Sequence, residues 1–206
     1  MCYAVREALA DTVEFAIAFQ ASDRMRHLQD IVHLMFDLAE AHPGFTDVNA
    51  RDAWLRDPVL VPTRETVERI ASARDWVEIL VAANLAFEPL VGELVKTEFL
   101  SRNAVHNGDP VTPLVLASGR ADTRRHLAAT QALVRLLVED PEHGTDNKTV
   151  LNDWVVRWGS ECERAAGALA PLFAIDKTVT GEPFDRCWQR VSNGWHTRVE
   201  ECGLEP

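Results

Sequence analysis

Residues 3–41 read YAVREALADTVEFAIAFQASDRMRHLQDIVHLMFDLAEA. Val5, Leu9, Val13, Ile17, Met25, Leu28, Val32 and Met35 recur at helical spacing, and the alternation of a half-buried strand is missing. No proline interrupts the run, and His42-Pro43-Gly44 ends it. The spacing predicts one helix over 3–41, about 58 Å long at ~1.5 Å per residue. Such a length suits a large helical bundle.

Outward from this helix, residues 42–62 form a connector containing Pro43, Gly44, Pro58 and Pro62. Thr63 is the expected cap of the next helix, with Glu65 in its first turn. That helix is expected to run to about Asn107 and to kink at Pro89, whose ring lacks a backbone donor. Asn107-Gly108-Asp109-Pro110 reads as a turn, Thr112 as a cap and Pro113 as the first helical residue. The helix that follows reaches about Val138, where Asp140-Pro141 breaks it. Asp146 is the expected cap of another helix ending near Phe173, and Pro183 starts a short last helix with Trp188 and Trp195. No segment alternates like a strand and no short-period repeat is present. The expectation is an all-α protein of four or five long helices: a bundle domain over 1–175 and a C-terminal extension with a short helix over 176–206.

The 206 residues suffice for one domain with a core, at 47% apolar and 26% charged residues. No apolar stretch reaches the ~18–20 residues that cross a bilayer. The beginning, Met1-Cys2-Tyr3-Ala4-Val5-Arg6-Glu7, has no basic region followed by an apolar run, so a cytoplasmic protein is expected. The net charge of −11, without a basic stripe, argues against nucleic acid as a partner. It fits plain solubility or steering toward a basic partner. Cys2, Cys162, Cys187 and Cys202 form no Cys-x-x-Cys pair and are expected as free thiols. No nucleophile–base pair and no glycine-rich phosphate loop is visible.

Long helices raise the question of a di-iron bundle. Such a site takes a Glu from each of two helices and a Glu-x-x-His from each of two more, a spacing that puts both side chains on one helix face. None of the seven histidines has a Glu three residues before it. Asp30/His33 and Asp140/His143 alone have a carboxylate at that spacing, and Pro141 lies inside the second pair. They are the candidate metal pairs read from spacing, against a background of 32 acidic residues that makes chance pairs expected.

Asn107-Gly108-Asp109-Pro110-Val111-Thr112-Pro113 followed by Asp122-Thr123-Arg124-Arg125-His126 resembles the second half of the bacterial multicomponent monooxygenase hydroxylases, the soluble methane, propane, phenol and toluene enzymes. The resemblance implies a ferritin-like, ribonucleotide-reductase-like bundle. In the catalytic α subunits of that family a similar turn precedes a helix carrying Asp-Glu-x-Arg-His. Asp122, Arg125 and His126 match that motif, and Thr123 stands where it has the iron-binding Glu. Asp23-Arg24-Met25-Arg26-His27 is similar to the first such motif, with Arg24 in place of its Glu. An Arg cannot ligate iron, and its fixed charge repels a dication. Glu88 lies near the family's bridging helix Glu. Arg24, His27, Glu88, Thr123 and His126 are thus expected as vestigial positions, with no catalytic, cofactor-binding or metal-ligating residue in this chain.

That loss is similar to the β subunit of the family, which has the α fold without its metals. Arg74-Asp75-Trp76-Val77-Glu78, Asn84-Leu85-Ala86-Phe87-Glu88-Pro89-Leu90 and Asn152-Asp153-Trp154 with Trp158 add to the likeness. Val138-Glu139-Asp140-Pro141-Glu142-His143-Gly144 leans toward the propane-type group. The likeness covers roughly residues 20–175, and it implies a scaffold for a catalytic α subunit that holds two irons. A γ subunit, a regulatory protein and an NADH-linked reductase would complete a hydrocarbon-hydroxylating system. Family β subunits are longer at the N-terminus, so a shortened subunit or a fragment is expected. Two rival readings are an independent ferritin-like metal-binding oxidoreductase using Asp30/His33 and Asp140/His143, and a helical binding module unrelated to oxygenases.

Plainer roles compete at each position. His27 and His126 suit buried, hydrogen-bonded histidines, and Arg24 and Arg26 suit pairing with Asp23 or Asp30. Glu88 suits a buried polar group at the kink or an ordinary surface residue. Trp76, Trp154 and Trp158 suit core packing or interface anchoring.

Overall fold

The computed structural model describes residues 1–8, 10–174 and 182–206. Among these the only regular structure is helical: α1 (Cys2–Glu7), α2 (Asp11–Ala41), α3 (Ala50–Arg56), α4 (Val61–Ser72), α5 (Trp76–Leu80), two π-wound segments (Val81–Gly92 and Leu94–Ser101), α6 (Arg102–His106), α7 (Val111–Val138), α8 (Gly144–Ala168), a 3-10 turn (Ala170–Ala174) and α9 (Phe184–Glu200).

The helix expected over 3–41 is two helices. Ala8 and Ala10 are extended (ψ 128° at each), and the chain folds back so that α1 lies on α2 and α5. Ala4, Ala8, Ile17, Ile79 and Leu80 form a small apolar cluster there. Its burial outweighs the local preference for one unbroken helix. Leu9, expected on the apolar face, lies outside the described residues. α2 keeps 31 residues, about 46 Å. The connector contains α3, seven residues long with an Asp52–Arg56 ion pair at 3.2 Å.

The second expected helix is also divided. α4 begins at Val61 with Pro62 in its first turn, so Thr63 is a buried residue inside the helix rather than its cap. Ala73 is extended, and Asp75 caps a new start, accepting from Val77 N (2.7 Å) and Glu78 N (3.2 Å). From Trp76 to His106 the backbone is then one rod, π-wound through most of its length.

The rod is the centre of the molecule. Val81, Ala82, Leu85, Ala86, Leu90, Val91 and Leu94 are buried along it, packed by α7, α8 and α9. Pro89 sits in this stretch and brings no N–H to the preceding turn. The Leu85 carbonyl in that turn accepts a hydrogen bond from Trp195 Nε1 of α9 at 2.8 Å. Gly159 of α8 lets the indole in: a Cβ there would stand 2.6 Å from Trp195 Cη2. α9 shares the main apolar cluster through Cys187, Val191, Trp195 and Val199; the domain boundary expected at 175/176 falls at residues outside the description.

Two further helix starts are held by aspartates. Asp109, not Thr112, caps α7, accepting from Val111 N (2.8 Å), Thr112 N (3.1 Å) and the Thr112 hydroxyl (2.6 Å), after Gly108 turns the chain at φ 77°. Asp140 takes Glu142 N (2.9 Å) and His143 N (2.7 Å) ahead of α8, whose first turn holds Asp146. No described helix is long and apolar enough to cross a membrane.

Candidate functional site

α2 and α7 pack against each other and bring the two motifs face to face. Four residues, one helical turn apart in pairs, exchange partners across the seam. His27 Nε2 lies 2.8 Å from Asp122 Oδ2, and His126 Nε2 lies 2.8 Å from Asp23 Oδ2. Arg125 joins the halves, donating to Asp23 (2.8 Å) and Asp122 (2.6 Å), and Arg26 adds a further ion pair to Asp122. Asp122 and His126 are buried. Burial alone would raise the two carboxyl pKa values. Hydrogen bonds from His126 and Arg125 to Asp23, and from His27 and Arg125 to Asp122, outweigh it and hold both below the usual carboxylate range. His126 is pushed the other way: its burial disfavours the imidazolium more than Asp23 favours it, so its pKa falls below the usual histidine value.

Arg24 turns inward beside this seam. Its Nη2 donates to Asn84 Oδ1 at 2.7 Å. Asn84 is buried in the π-wound rod and donates to Gln20 Oε1 and Thr130 Oγ1, both at 2.9 Å. Burial lowers the Arg24 pKa against the nearby charges of Glu88 and Asp23, yet a guanidinium stays protonated. Glu88 is half-buried and bonded to Lys96 Nζ at 2.7 Å. Thr123 spends its hydroxyl on the Gly119 carbonyl at 3.1 Å. A groove of about 260 Å³ opens here between Met1, Tyr3, Arg24, Ile70 and Phe87.

An imidazole held through one nitrogen by a carboxylate is how proteins orient metal-binding histidines, and the seam shares that one feature. Its oxygen donors are few. Among the five vestigial positions the one carboxylate, Glu88, is committed to Lys96, and a guanidinium lies beside it. The donor set is therefore a poor fit for two irons, which need several carboxylates.

The other candidate pairs lie elsewhere. Asp30 pairs with Arg26 at 3.2 Å and His33 is exposed on α2. Asp140 caps a turn, and His143 is exposed beside Glu142. Among the described residues one trio of potential ligands converges, Glu98, Glu182 and Cys187. Arg190 bonds both carboxylates (2.5 and 2.7 Å), Arg102 pairs with them too, and burial raises the Cys187 thiol pKa. The trio is a charge-balanced tie between the rod and α9. All four cysteines are free thiols.

The resemblance points to the two helix faces, and spacing alone points to Asp30/His33 and Asp140/His143; the exchange between the faces is legible in neither, because it needs knowledge that α2 and α7 are neighbours. The Gln20–Asn84–Thr130 network escapes both as well. Its signal was a polar residue in the otherwise apolar run Val81-Ala82-Ala83-Asn84-Leu85-Ala86-Phe87.

A bundle of long helices whose two Asp-x-x-Arg-His faces bond each other's histidines is a ferritin-like protein. The chain belongs to the Methane/Phenol/Alkene Hydroxylase family, whose model matches residues 1–141. Over 202 residues it is 36% identical to the small subunit of the propane 2-monooxygenase hydroxylase component of Rhodococcus jostii (strain RHA1), covering 97% of this chain and 54% of that one. Over 174 residues it is 31% identical to the methane monooxygenase component A beta chain of Methylosinus trichosporium, covering 82% of this chain and 44% of that one. A solved structure of toluene 4-monooxygenase with toluene in its resting active site superposes with a TM-score of 0.75 at 28% identity, covering 82% of this chain and 55% of that one. The chain thus spans about half the length of the curated relatives it matches.

Proposed function

We propose that this chain is a non-catalytic β subunit of the hydroxylase component of a hydrocarbon monooxygenase, of the propane type, and that it scaffolds a catalytic α subunit. The observation that carries this reading is Arg24: a guanidinium bonded to Asn84 inside the bundle, where the resemblance puts an iron-binding Glu. The relatives' names as small or beta subunits support it. On this reading the chain holds no iron, the di-iron centre is in the α subunit, and the complex is cytoplasmic. A γ subunit, a regulatory protein and an NADH-linked reductase serve the assembled enzyme. What this chain contributes is buried interface, ~2,000–5,000 Å² for an obligate complex.

The test is co-expression with a large hydroxylase chain of the same family, followed by sizing, iron analysis and hydrocarbon oxidation. The expected result is a stable complex with iron in the large chain, and no iron in the isolated small one. Stoichiometric iron in the purified chain, or oxygenase turnover without a companion, overturns the proposal.

A further inference from the structure

The central rod is buried on every side, so burial alone does not choose how it is turned. Ile79, Leu80, Val81 and Ala82 are buried, four residues in a row, and four residues complete a turn at ~3.6 per turn. The run from Pro89 to Gly92 is buried in the same way further along. A rod turned or moved by one residue still puts apolar side chains against α7, α8 and α9. Apolar cores tolerate such variation and lose uniqueness before they lose stability.

One short polar side chain breaks this indifference. Asn84 is 1% exposed and lies between α2 and α7. Its Oδ1 accepts from Arg24 Nη2, and its Nδ2 donates to both Gln20 Oε1 and Thr130 Oγ1. Both amide hydrogens and the carbonyl are therefore used, by partners on two other helices. Gln20 and Thr130 are buried as well. Turning the rod by one residue takes the carboxamide away from all three and strands buried polar groups. Glu98, also buried on the rod, is held less rigidly. Its partners Arg190 and Arg102 have side chains 41% and 42% exposed, long enough to follow a shift.

A buried network of this kind adds little to stability. Each member exchanges water for a protein partner, and apolar residues of similar volume pack as well. What apolar residues cannot do is tell one register from the next, which is the service a single buried Asn performs between packed helices. We infer that Asn84 is a register pin. With Gln20, Arg24 and Thr130 it fixes the rotation and depth of the rod against α2 and α7, and so selects one packing of the core without raising the stability of the fold.

The experiment replaces the whole network at once, as Gln20→Leu/Arg24→Met/Asn84→Leu/Thr130→Val, and compares it with wild type and with Asn84→Leu alone. Thermal melting reads stability. Amide hydrogen exchange along Val81–Ser101 reads the rod, and the nuclear magnetic resonance signal of the Trp195 indole N–H reads its rotation, because that group bonds the carbonyl of Leu85, next to Asn84. The fourfold variant is expected to melt within about 4 °C of wild type. Its rod amides exchange at least ~10-fold faster, and its Trp195 indole gives more than one signal. Asn84→Leu alone strands Arg24 and Gln20 and melts lower by more than about 4 °C. Wild-type exchange and a single Trp195 signal in the fourfold variant show that side-chain shape alone sets the register, and overturn the inference. So does a fourfold variant that fails to fold or melts as low as Asn84→Leu, since the network is then a source of stability. An Asn84→Leu protein that melts with wild type overturns it too.

Discussion

Removing the Asp122 carboxylate tests whether the crossed seam holds α2 to α7. Asp122 is 6% exposed and accepts from Arg26, from His27 (2.8 Å) and from Arg125 (2.6 Å). A hydrogen bond to a charged group contributes roughly 1.5–3 kcal/mol. The Arg26 and Arg125 side chains are 43% and 62% exposed, so water takes back most of their share. His27, 20% exposed, recovers less. Asp122→Ala is therefore expected to cost about 2–3 kcal/mol. Asp23→Ala frees the same Arg125 and strands His126, whose side chain is 5% exposed, for about 2 kcal/mol. Because both carboxylates share Arg125, the double variant should cost less than the sum by roughly 0.5–1 kcal/mol. Urea unfolding followed by helical circular dichroism at neutral pH gives all three values. Losses below ~0.5 kcal/mol for each single variant, or strict additivity, would refute the reasoning.

Gly159→Ala should destabilise by about 1–3 kcal/mol despite alanine's better helix propensity, because its Cβ meets the Trp195 ring at 2.6 Å; thermal melting reads this. Trp195→Phe keeps most of the packing and loses the bond to the Leu85 carbonyl, for a cost of about 1–3 kcal/mol in the same assay. Acid should act in two stages. His126 has a lowered folded pKa, so the unfolded chain takes the proton first and stability falls as pH drops below ~6.5. Asp23 and Asp122, also lowered, stabilise fully above their unfolded pKa of ~3.9 and lose that contribution as pH falls through their folded values. Urea midpoints at pH 7.5, 5.5 and 3.5 check both stages, and His126→Gln should abolish the first.

Much of the architecture follows from short-range rules. α7, α8 and α9 and the breaks at Asn107–Pro110 and Asp140–Pro141 are legible as apolar periods between turn residues. What escapes is set by distant partners. The stop at Ala8–Ala10 has no proline or glycine to mark it; it exists because α1 folds back onto Ile79 and Leu80. π winding from Val81 to Ser101 leaves the same apolar composition that α winding would. α3 is too short to show a period. Thr63, Thr112 and Asp146 look like caps, but Asp75, Asp109 and Asp140 each lie where one carboxylate reaches two following N–H groups. At the candidate site, residue types at the matched positions are enough to locate Arg24, His27, Thr123 and His126. Which carboxylate meets which imidazole depends on the antiparallel register of α2 and α7, a property of the folded molecule alone.

That register has a bearing on how long the protein survives once made. The two imidazole–carboxylate contacts join residues 95 and 103 positions apart, so they close only after the intervening rod has taken shape, against a loop entropy that grows with separation. Contacts of such separation are expected to be absent when the chain commits to folding. Weakening them leaves the speed of acquisition almost untouched and hastens escape instead. Asp23, His27, Asp122 and His126 then act as a latch whose measure is the rate of spontaneous opening.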